Sequence, residues 1–287
     1  MLKIFKYIPK EKLPNYAGKA LNTIALLSPT LSAQLTLFLY SKPLKGRLNE
    51  SSKSFLSSAD SQTKLKHNQN IDIQVYEWYG VGPKILLLHG WESNAARWRP
   101  LIRLLHKKGY HVIAMDGPAH GQSGSKKFSA DLYAAMADDV VKKLQPACVI
   151  GHSVGGMATL YLATHFENPS IQSLIVLAAS NRWLEVASKF HLALGLNNRI
   201  IENFEDVFQK NYHMPQSYFN ADNWVKKLNI PGLVIHDKDD EVNEVKDGRR
   251  IHENWKNSTY IETKGYGHSM QSKEVYQYIV SFLEKSH

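Results

Sequence analysis

The sequence has one cysteine, Cys148, among 287 residues. A single thiol excludes an internal disulfide and fits a reducing compartment. Because Cys148 lies in an apolar segment, we expect it to be buried and inert. Zinc sites built on cysteine pairs are excluded as well, and no His-Glu-x-x-His motif occurs. The sequence therefore predicts no metal site and no cofactor.

An uninterrupted apolar run long enough to cross a membrane is also missing. The segment from Leu21 to Tyr40 is apolar on average but carries several polar residues and Pro29. It therefore predicts two packing helices that break near Pro29, and not a transmembrane helix. No clean apolar region of the secretory kind lies near the start, and we expect a cytoplasmic location.

The first residues alternate apolar side chains with lysines, as in Leu2, Ile4 and Phe5 beside Lys3 and Lys6. Such a face can bind an anionic membrane surface. Peripheral membrane contact through this basic N-terminus is one interpretation, and packing against the rest of the protein is the other.

Positive charge exceeds negative charge, with 35 Lys and Arg residues against 26 Asp and Glu residues and a formal net charge of +9. A nucleic-acid or membrane partner is therefore worth considering. The basic residues are scattered, with no arginine-rich run and no nucleic-acid motif. We expect an ordinary basic surface and no nucleic-acid partner, and the sequence leaves the oligomeric state open.

Short apolar runs bounded by turn residues alternate with amphipathic segments. The runs, typical of parallel strands buried on both faces, are Lys84 to Leu88, His111 to Met115, Ala147 to Ile150, Leu174 to Ala178 and Leu233 to His236. Helical patterns lie between them, as at Ala95 to Lys108 and Leu132 to Leu144. The alternation predicts an α/β fold with a mostly parallel sheet covered by helices on both faces.

The segment Gly151-His152-Ser153-Val154-Gly155 joins one of these strands to a helix. A serine at such a sharp turn exposes its hydroxyl, and the glycines let neighbouring backbone approach. The N-terminus of the following helix can stabilise a negative charge that develops on a substrate oxygen. This context makes Ser153 a candidate nucleophile.

A serine nucleophile needs a base, and the base needs a third group to orient it. An acidic loop, Asp237-Lys238-Asp239-Asp240, follows a predicted strand downstream of Ser153, and His268 follows the next strand. The chain order of serine, acid and histidine is the one found in α/β hydrolases.

Four motifs of the sequence resemble those of the α/β-hydrolase superfamily, and the likeness extends from about Ile71 to Lys285. The motifs are Ile85 to Trp91, Asp116 to Ser123, the segment around Ser153, and Gly265 to His268. A His-Gly-Trp-Glu segment together with a helical N-terminus is also similar to an uncharacterised bacterial branch of that superfamily. The resemblance implies an α/β-hydrolase fold with a small helical lid and an N-terminal helical extension.

The resemblance also implies roles for five residues. Ser153 is the nucleophile, His268 is the general base, and the backbone N–H groups of Trp91 and Val154 form the oxyanion hole. The catalytic acid is Asp240, which we favour over Asp239. The family often has glycine where Asp237 stands here, so Asp237 either shifts local protonation or is a solvated loop residue.

Other polar residues of these motifs are expected to have structural roles. His89 and His120 are predicted to hold loop backbone, His152 to pack, and Asp116 to fix its turn by accepting backbone N–H bonds. Glu92 is expected to stabilise its loop, with substrate contact as the alternative.

The chain is predicted to divide into an N-terminal helical extension and linker (residues 1–65) and an α/β-hydrolase domain (residues 66–287) with a lid insertion at about 183–222. Gly46 to Asn70 is polar and serine-rich, which suggests a linker or a loosely held connection. Aromatic side chains of the insertion either line an acyl pocket or form the lid's own core; they are Trp183, Phe190, Phe204, Phe208, Tyr212, Tyr218 and Phe219.

The expected reaction is hydrolysis of a carboxylic ester or related acyl bond of a small-molecule substrate, through an acyl-enzyme on Ser153. A thioesterase, a carbon–carbon bond hydrolase and an acyltransferase can use the same triad, so these alternatives stay open. From another class, a non-catalytic binding protein of this fold also stays open. The acyl length of the substrate is not predicted.

Overall fold

Eight strands form one sheet in a computed structural model of the chain, which describes residues 13–286. The strands are β1 (Ser61–His67), β2 (Ile71–Trp78), β3 (Lys84–Leu88), β4 (His111–Met115), β5 (Cys148–His152), β6 (Ser173–Leu177), β7 (Gly232–Asp237) and β8 (Ser258–Thr263). Their order across the sheet is β1-β2-β4-β3-β5-β6-β7-β8. Strand β2 pairs antiparallel with both of its neighbours, β1 and β4. The other six strands, β4, β3, β5, β6, β7 and β8 in sheet order, pair in parallel. The mostly parallel sheet that the apolar runs predict is confirmed.

Helices follow most of the strands. They are α1 (Leu13–Leu27), α2 (Pro29–Ser41), α3 (Glu50–Leu56), α4 (Arg99–Lys107), α5 (Ala130–Leu144), α6 (Val154–His165), α7 (Trp183–Leu194), α8 (Asn198–Tyr212), α9 (Ala221–Trp224), α10 (Val245–Asn254) and α11 (Lys273–Ser286). Short 3₁₀ turns occur at Ala95–Trp98, Gln216–Tyr218, Val225–Lys227 and Gly267–Ser269. The break between α1 and α2 falls at Ser28, beside the proline that predicts it. No helix within residues 13–286 has the length and apolarity of a membrane span. Residues 2–12, the basic N-terminus predicted to contact a membrane, lie outside the described residues, so that contact stays a prediction.

The described chain divides into two compact units. One contains the chain up to Ser41 together with Arg182–Asn220, and the other contains Lys42–Asn181 and the chain from Ala221 onward. The first unit holds α1, α2, α7 and α8, so the N-terminal helices and the predicted lid insertion belong to the same unit. The division at residue 65 and the role of the insertion as a lid stay predictions.

The sheet unit buries apolar side chains on both faces of the sheet. On one face, alternate strand residues such as Ile85 and Ile150 join a cluster with Trp98, helix α4 and helix α11. The intervening residues point to the other face because strand side chains alternate, and α5, α6 and α10 lie in the same unit against that face. This two-sided burial explains why these strands read as continuous apolar runs.

The interpretation of Gly46 to Asn70 as a loosely held linker is wrong for most of that segment. Residues Glu50–Leu56 form helix α3, with Phe55 and Leu56 buried, and Ser61–His67 form the edge strand β1. The side chains of β1 are exposed or half-buried, whereas most of those of β2 are buried. Strand β1 therefore needs few apolar residues. Its pairing with β2 supplies the order that its composition does not indicate.

The first unit has an aromatic core of its own. The ring of Tyr40 lies 4.6 Å from that of Phe190 and 5.5 Å from that of Phe204. Among the seven aromatic residues of the insertion, Phe204, Phe208 and Phe219 are buried. These three rings form part of the unit's core, as one of the two predicted alternatives requires.

Candidate active site

Ser153 occupies a strained turn between β5 and α6. Its backbone has φ +56° and ψ −124°, a conformation that non-glycine residues rarely adopt and that is concentrated at functional sites. The Ser153 N–H donates to the carbonyl of Leu177 at 2.9 Å, which ties the turn to strand β6.

The flanking glycines make room for this turn. A Cβ atom on Gly155 would lie 2.4 Å from the carbonyl oxygen of His89, and one on Gly151 would lie 2.4 Å from that of Gly155. Both distances are shorter than any real contact, so the serine can hold this position only between glycines. The sequence predicts this close approach.

The structure brings Ser153, His268 and Asp240 together. His268 Nε2 lies 3.0 Å from Ser153 Oγ, and His268 Nδ1 lies 2.9 Å from Asp240 Oδ2 and 3.1 Å from Asp240 Oδ1. The three side chains come from the carboxyl ends of β5, β7 and β8, where ligands of parallel sheets collect. Asp239, the alternative acid, is exposed and instead accepts from the Gly265 N–H at 3.0 Å.

Asp240 is buried and accepts several hydrogen bonds. Its Oδ1 accepts from the N–H groups of Val242 and Asn243 at 2.8 and 2.9 Å, and its Oδ2 lies 3.3 Å from His236 Nε2. Burial alone raises the pKa of Asp240, but the hydrogen bonds from His236, His268 and Asn243 outweigh it and hold that pKa well below its usual range. Asp240 is therefore an anion at neutral pH beside the His268 ring.

Asp237 is also buried, so its interpretation as a solvated loop residue is wrong. Its Oδ2 accepts from Thr263 Oγ1 at 2.8 Å and from the Tyr266 N–H at 3.1 Å, and its Oδ1 accepts from the Asp239 N–H at 2.9 Å. Burial raises the pKa of Asp237, but these hydrogen bonds lower it overall. Asp237 thus fixes the loop that leads from β8 to His268.

Two side chains that sequence reasoning did not assign to the site hold the backbone of the His268 loop. His152 Nε2 donates to the His268 carbonyl at 2.7 Å, and Arg97 Nη2 donates to the Ser269 carbonyl at 3.0 Å. Burial and the nearby charge of Arg97 hold the pKa of His152 well below its usual range, so its ring is neutral. The prediction that His152 packs is incomplete, because its contact with His268 is a directed hydrogen bond.

Trp91 and Val154, the predicted oxyanion donors, lie on the two segments that flank Ser153. Val154 is the first residue of α6, and the first N–H groups of a helix have no partner within that helix. The Trp91 ring packs edge-on against His120 and Phe128. The loop that carries Trp91 follows β3, next to β5 in the sheet.

Two histidines fix that loop, which confirms their predicted role. His89 Nδ1 donates to the Gly90 carbonyl at 2.7 Å, and its Nε2 accepts from the Gly117 N–H at 2.8 Å. His120 Nδ1 donates to the Pro118 carbonyl at 2.8 Å, and its Nε2 accepts from the Glu92 N–H at 3.0 Å. Burial lowers the pKa of His120 to about 4 and that of His89 well below its usual range.

Asp116 fixes its turn, also as predicted. Its carboxylate accepts from the N–H groups of Ala95 and Gln122, both at 2.9 Å, and from the Tyr76 hydroxyl at 3.1 Å. A Cβ atom on Gly121 would lie 2.0 Å from that carboxylate. The turn therefore requires glycine at this position.

Glu92 stabilises its loop, and it does so through a segment distant in sequence. Its Oε1 accepts from the backbone N–H groups of Leu44 and Lys45 at 2.9 and 3.2 Å. Nearby, the Gly46 carbonyl accepts from the Gly121 N–H at 2.9 Å, and Arg47 Nη1 donates to the Gly121 carbonyl at 3.0 Å. Residues 44–47 thus hold both loops that adjoin Ser153.

Within residues 13–286, no group of three His, Cys, Asp or Glu side chains is placed to hold a metal ion.

Comparison with known sequences matches residues 83–213 to a family described as having the alpha/beta hydrolase fold. The chain is similar to a pimeloyl-[acyl-carrier protein] methyl ester esterase of Vibrio vulnificus, with 25% identity over 51% of this chain and 54% of that protein. It is also similar to a bifunctional esterase/perhydrolase of Acinetobacter calcoaceticus, with 25% identity over 71% of this chain and 92% of that protein. The match to the Vibrio esterase thus spans about half of that protein's length.

Among solved structures, the chain is similar to an esterase from Exiguobacterium antarcticum. The TM-score is 0.62 at 19% identity, and the match covers 78% of this chain and 100% of the esterase. At this level of identity the likeness concerns the fold, which is the one expected from the motifs.

Proposed function

The chain belongs to the α/β-hydrolase superfamily, and from this premise we propose that it is a serine hydrolase that cleaves a carboxylic ester or a related acyl bond. Ser153 is the proposed nucleophile, His268 the general base and Asp240 the acid that orients it. The backbone N–H groups of Trp91 and Val154 are the proposed oxyanion hole.

The observation that carries this proposal is the continuous hydrogen-bond chain from Asp240 through His268 to Ser153. The distance from Asp240 Oδ2 to His268 Nδ1 is 2.9 Å and that from His268 Nε2 to Ser153 Oγ is 3.0 Å, and both are typical hydrogen-bond lengths. The anionic Asp240 accepts from His268 Nδ1–H, so Nε2 is left without a proton and can accept the hydroxyl proton of Ser153. A serine in this setting is an activated nucleophile.

In the acylation step, Ser153 Oγ attacks the carbonyl carbon of the substrate while His268 Nε2 takes the hydroxyl proton. The carbonyl oxygen becomes an oxyanion, which the two backbone N–H groups stabilise. When the intermediate collapses, the bond to the alcohol breaks, and His268 returns the proton to the leaving alkoxide. The acyl group is then bound to Ser153 as an ester.

In the deacylation step, His268 takes a proton from a water molecule, which attacks the acyl-enzyme. Collapse of the second intermediate releases the carboxylic acid and returns the proton to Ser153 Oγ. The two relatives named above are called esterases, which supports an ester as the substrate. The cytoplasmic location stays a prediction.

The test is hydrolysis of p-nitrophenyl esters, from acetate to long-chain acyl, by the wild type and by Ser153→Ala. We expect the wild type to be active and the variant to lose at least about a thousandfold in kcat/KM while keeping its fold by circular dichroism. Ser54→Ala, at an exposed position on α3, is the matched control and should keep full activity.

Labelling with a fluorophosphonate gives a second readout that does not depend on the choice of ester. The wild type and Ser54→Ala should be labelled, and Ser153→Ala should not. Labelling of the wild type without turnover of any ester would indicate another acyl substrate for the same triad. Full activity in Ser153→Ala would refute the assignment of Ser153 as the nucleophile. A wild type that neither hydrolyses an ester nor is labelled would refute the proposal in favour of a non-catalytic protein.

A further inference from the structure

Asn243 follows the proposed acid, Asp240, by three residues and is buried. Its backbone N–H donates to Asp240 Oδ1 at 2.9 Å, and its backbone carbonyl accepts from His236 Nε2 at 2.9 Å. These two backbone bonds lie within strand β7 and the loop that follows it. Both persist whatever side chain stands at position 243, provided that the loop keeps its shape.

The side-chain amide of Asn243 contacts the residues that follow the neighbouring strand, β6. Its Nδ2 donates to the Ala178 carbonyl at 2.8 Å and to Ser180 Oγ at 3.0 Å. A carbonyl oxygen can only accept, so the amide nitrogen and not the amide oxygen must face Ala178. A donor at this position thus joins the loop after β7 to the loop after β6.

Ala178 has a backbone conformation that needs support from its surroundings. It is fully buried and has φ +47°, in the left-handed region that residues other than glycine rarely adopt. Such a conformation persists only where neighbouring contacts fix it. The Ala178 N–H donates to the Ile235 carbonyl at 2.9 Å, and the Asn243 amide supplies the donor for the Ala178 carbonyl.

The residues on either side of Ala178 hold the backbone of Ser153. The Leu177 carbonyl accepts from the Ser153 N–H at 2.9 Å, and the Ser180 N–H donates to the Ser153 carbonyl at 3.3 Å. Residues 177–180 therefore contact both Asn243 and the proposed nucleophile. Strand β6 lies between β5, which leads to Ser153, and β7, which leads to Asp240.

We propose that Asn243 is a positioning residue that sets the place of Asp240 relative to Ser153, an inference that rests on the proposed function. Asp240 and Ser153 follow strands that are not neighbours in the sheet, so their separation depends on what joins the intervening loop to each of them. The Asn243 amide makes one of these connections, and the Ser153 backbone bonds make the other. Small displacements of reacting groups cost large factors in rate, which makes this connection matter for turnover.

Kinetics of p-nitrophenyl acetate hydrolysis by Asn243→Leu tests the proposal. Leucine has the branched shape of asparagine but no donor. We expect kcat to fall by about tenfold to a hundredfold, with little change in KM because the amide acts through backbone and not on the substrate. Asn243→His, whose Nδ1–H can donate from the same distance along the side chain, should recover part of the loss.

Asn254→Leu is the matched control. Asn254 is half-buried at the end of α10, and its Nδ2 donates to the Arg250 carbonyl at 2.8 Å, so the variant removes the same kind of bond from a helix. Urea unfolding should show a loss of stability in both leucine variants, whereas only Asn243→Leu should lose kcat under conditions where the protein is folded. A merely structural role for Asn243 would lower stability alone.

Ser180→Ala is a milder test of the same connection, because it removes one of the two acceptors of the Asn243 amide. We expect kcat to fall by about threefold. Combined with Asn243→Leu it should cause no further loss, since both substitutions remove the same contact. The rate of fluorophosphonate labelling should follow the same order and serves as the readout if p-nitrophenyl acetate is a poor substrate.

The outcomes separate this inference from the proposed function. Wild-type kcat and labelling rate in a folded Asn243→Leu would overturn the inference, and the proposed function would still stand if Ser153→Ala is inactive. If Asn243→Leu does not fold, wild-type kcat in Ser180→Ala would overturn the inference instead. A wild type that neither hydrolyses esters nor is labelled would overturn both.

Discussion

Asp237 and Asp240 are both buried at the end of strand β7, but only Asp240 contacts His268. Asp240→Asn should lower kcat for ester hydrolysis by roughly a thousandfold to ten-thousandfold, because the amide no longer holds His268 in the required tautomer. Asp239→Asn, at an exposed neighbouring position, should keep most of the activity. Steady-state kinetics on p-nitrophenyl acetate compares the two.

Asp237→Asn should lower stability more than it lowers kcat. The carboxylate of Asp237 accepts from Thr263 Oγ1 and from the N–H groups of Tyr266 and Asp239, and in the variant an amide nitrogen, which cannot accept, would replace one of its two oxygens. We expect a loss of about 1–3 kcal/mol in the free energy of unfolding, measured in urea. The comparison of Asp240→Asn with Asp239→Asn has its own contrary outcome: a larger loss of kcat in Asp239→Asn would assign the catalytic acid to Asp239.

His152 is expected to position His268 without touching the substrate. His152→Leu removes the donor to the His268 carbonyl, and we expect kcat to fall by about tenfold with little change in KM, the cost of one hydrogen bond at the base. His152→Gln can still donate and should recover most of the loss. If His152→Leu keeps the wild-type kcat while losing stability, the residue only packs.

At this scale, sequence reasoning identifies the residues that lie together but not those that support them. Ser153, His268 and Asp240 stand in recognisable local motifs. The partners of His152 and Arg97 are carbonyls more than a hundred residues away, and a carbonyl has no signature in a sequence. The burial of Asp237 likewise depends on Thr263 and Tyr266, which belong to another strand and its loop.

Among the structural elements, the loop after β3 depends on a segment from far upstream. Glu92→Ala would leave the N–H groups of Leu44 and Lys45 without their carboxylate partner. We expect a loss of about 1 kcal/mol in the free energy of unfolding, because these partly exposed groups can turn to water. Since Trp91 precedes Glu92, kcat should also fall.

Glu92→Gln is the control for this prediction, because it keeps an acceptor oxygen and should lose less stability and less kcat. Urea unfolding measures the free energy of unfolding, and p-nitrophenyl acetate kinetics measures kcat. If Glu92→Ala loses stability but keeps kcat, the segment at residues 44–47 does not position the oxyanion loop.

Elements with a clear hydrophobic signature are predicted well from the sequence, and elements without one are not. Strands β3 to β7 lie within one or two residues of the apolar runs, because burial on both faces fixes their composition. Strand β1, Ser61–His67, is an exposed edge strand whose polar residues resemble those of a loop. Its existence depends on its pairing with β2, which local composition does not encode.

For the whole molecule, the buried histidines predict a pH dependence of stability. The pKa of His120 is about 4 in the folded protein and about 6.5 in an unfolded chain. Between these values the unfolded state binds more protons, so stability falls as pH falls from about 6.5 to about 4. His89 and His152, whose pKa values are also lowered, act in the same direction.

His120→Asn should reduce the slope of the unfolding free energy against pH by up to about 1.4 kcal/mol per pH unit in this window. Urea unfolding at several pH values from 4.5 to 7 measures the slope, which does not depend on any constant loss of packing. His213→Asn, at an exposed position with φ +58° that suits asparagine, is the control. An unchanged slope in His120→Asn would show that folding does not lower the pKa of His120.

The grouping of the N-terminal helices with the inserted helices is a property of the whole molecule that the sequence does not reveal. The segments of this unit are separated by about 140 residues of the sheet unit. Periodicity identifies each helix but not its partner, since any amphipathic helix can pack against any other. Only the three-dimensional arrangement shows that Tyr40 and Phe204 share one core.

The lone thiol of Cys148 makes the molecule a reporter of its own unfolding. It lies in β5, inside the sheet and paired with Ile85 and Ser173, and burial raises its pKa to about 12. A disulfide reagent such as Ellman's reagent can react with it only after the strand opens. With no second thiol in the chain, the rate of colour release at each reagent concentration would follow the opening of the sheet centre. Cys148 begins the strand that ends next to Ser153, so the measurement reports on the base of the site without any introduced label.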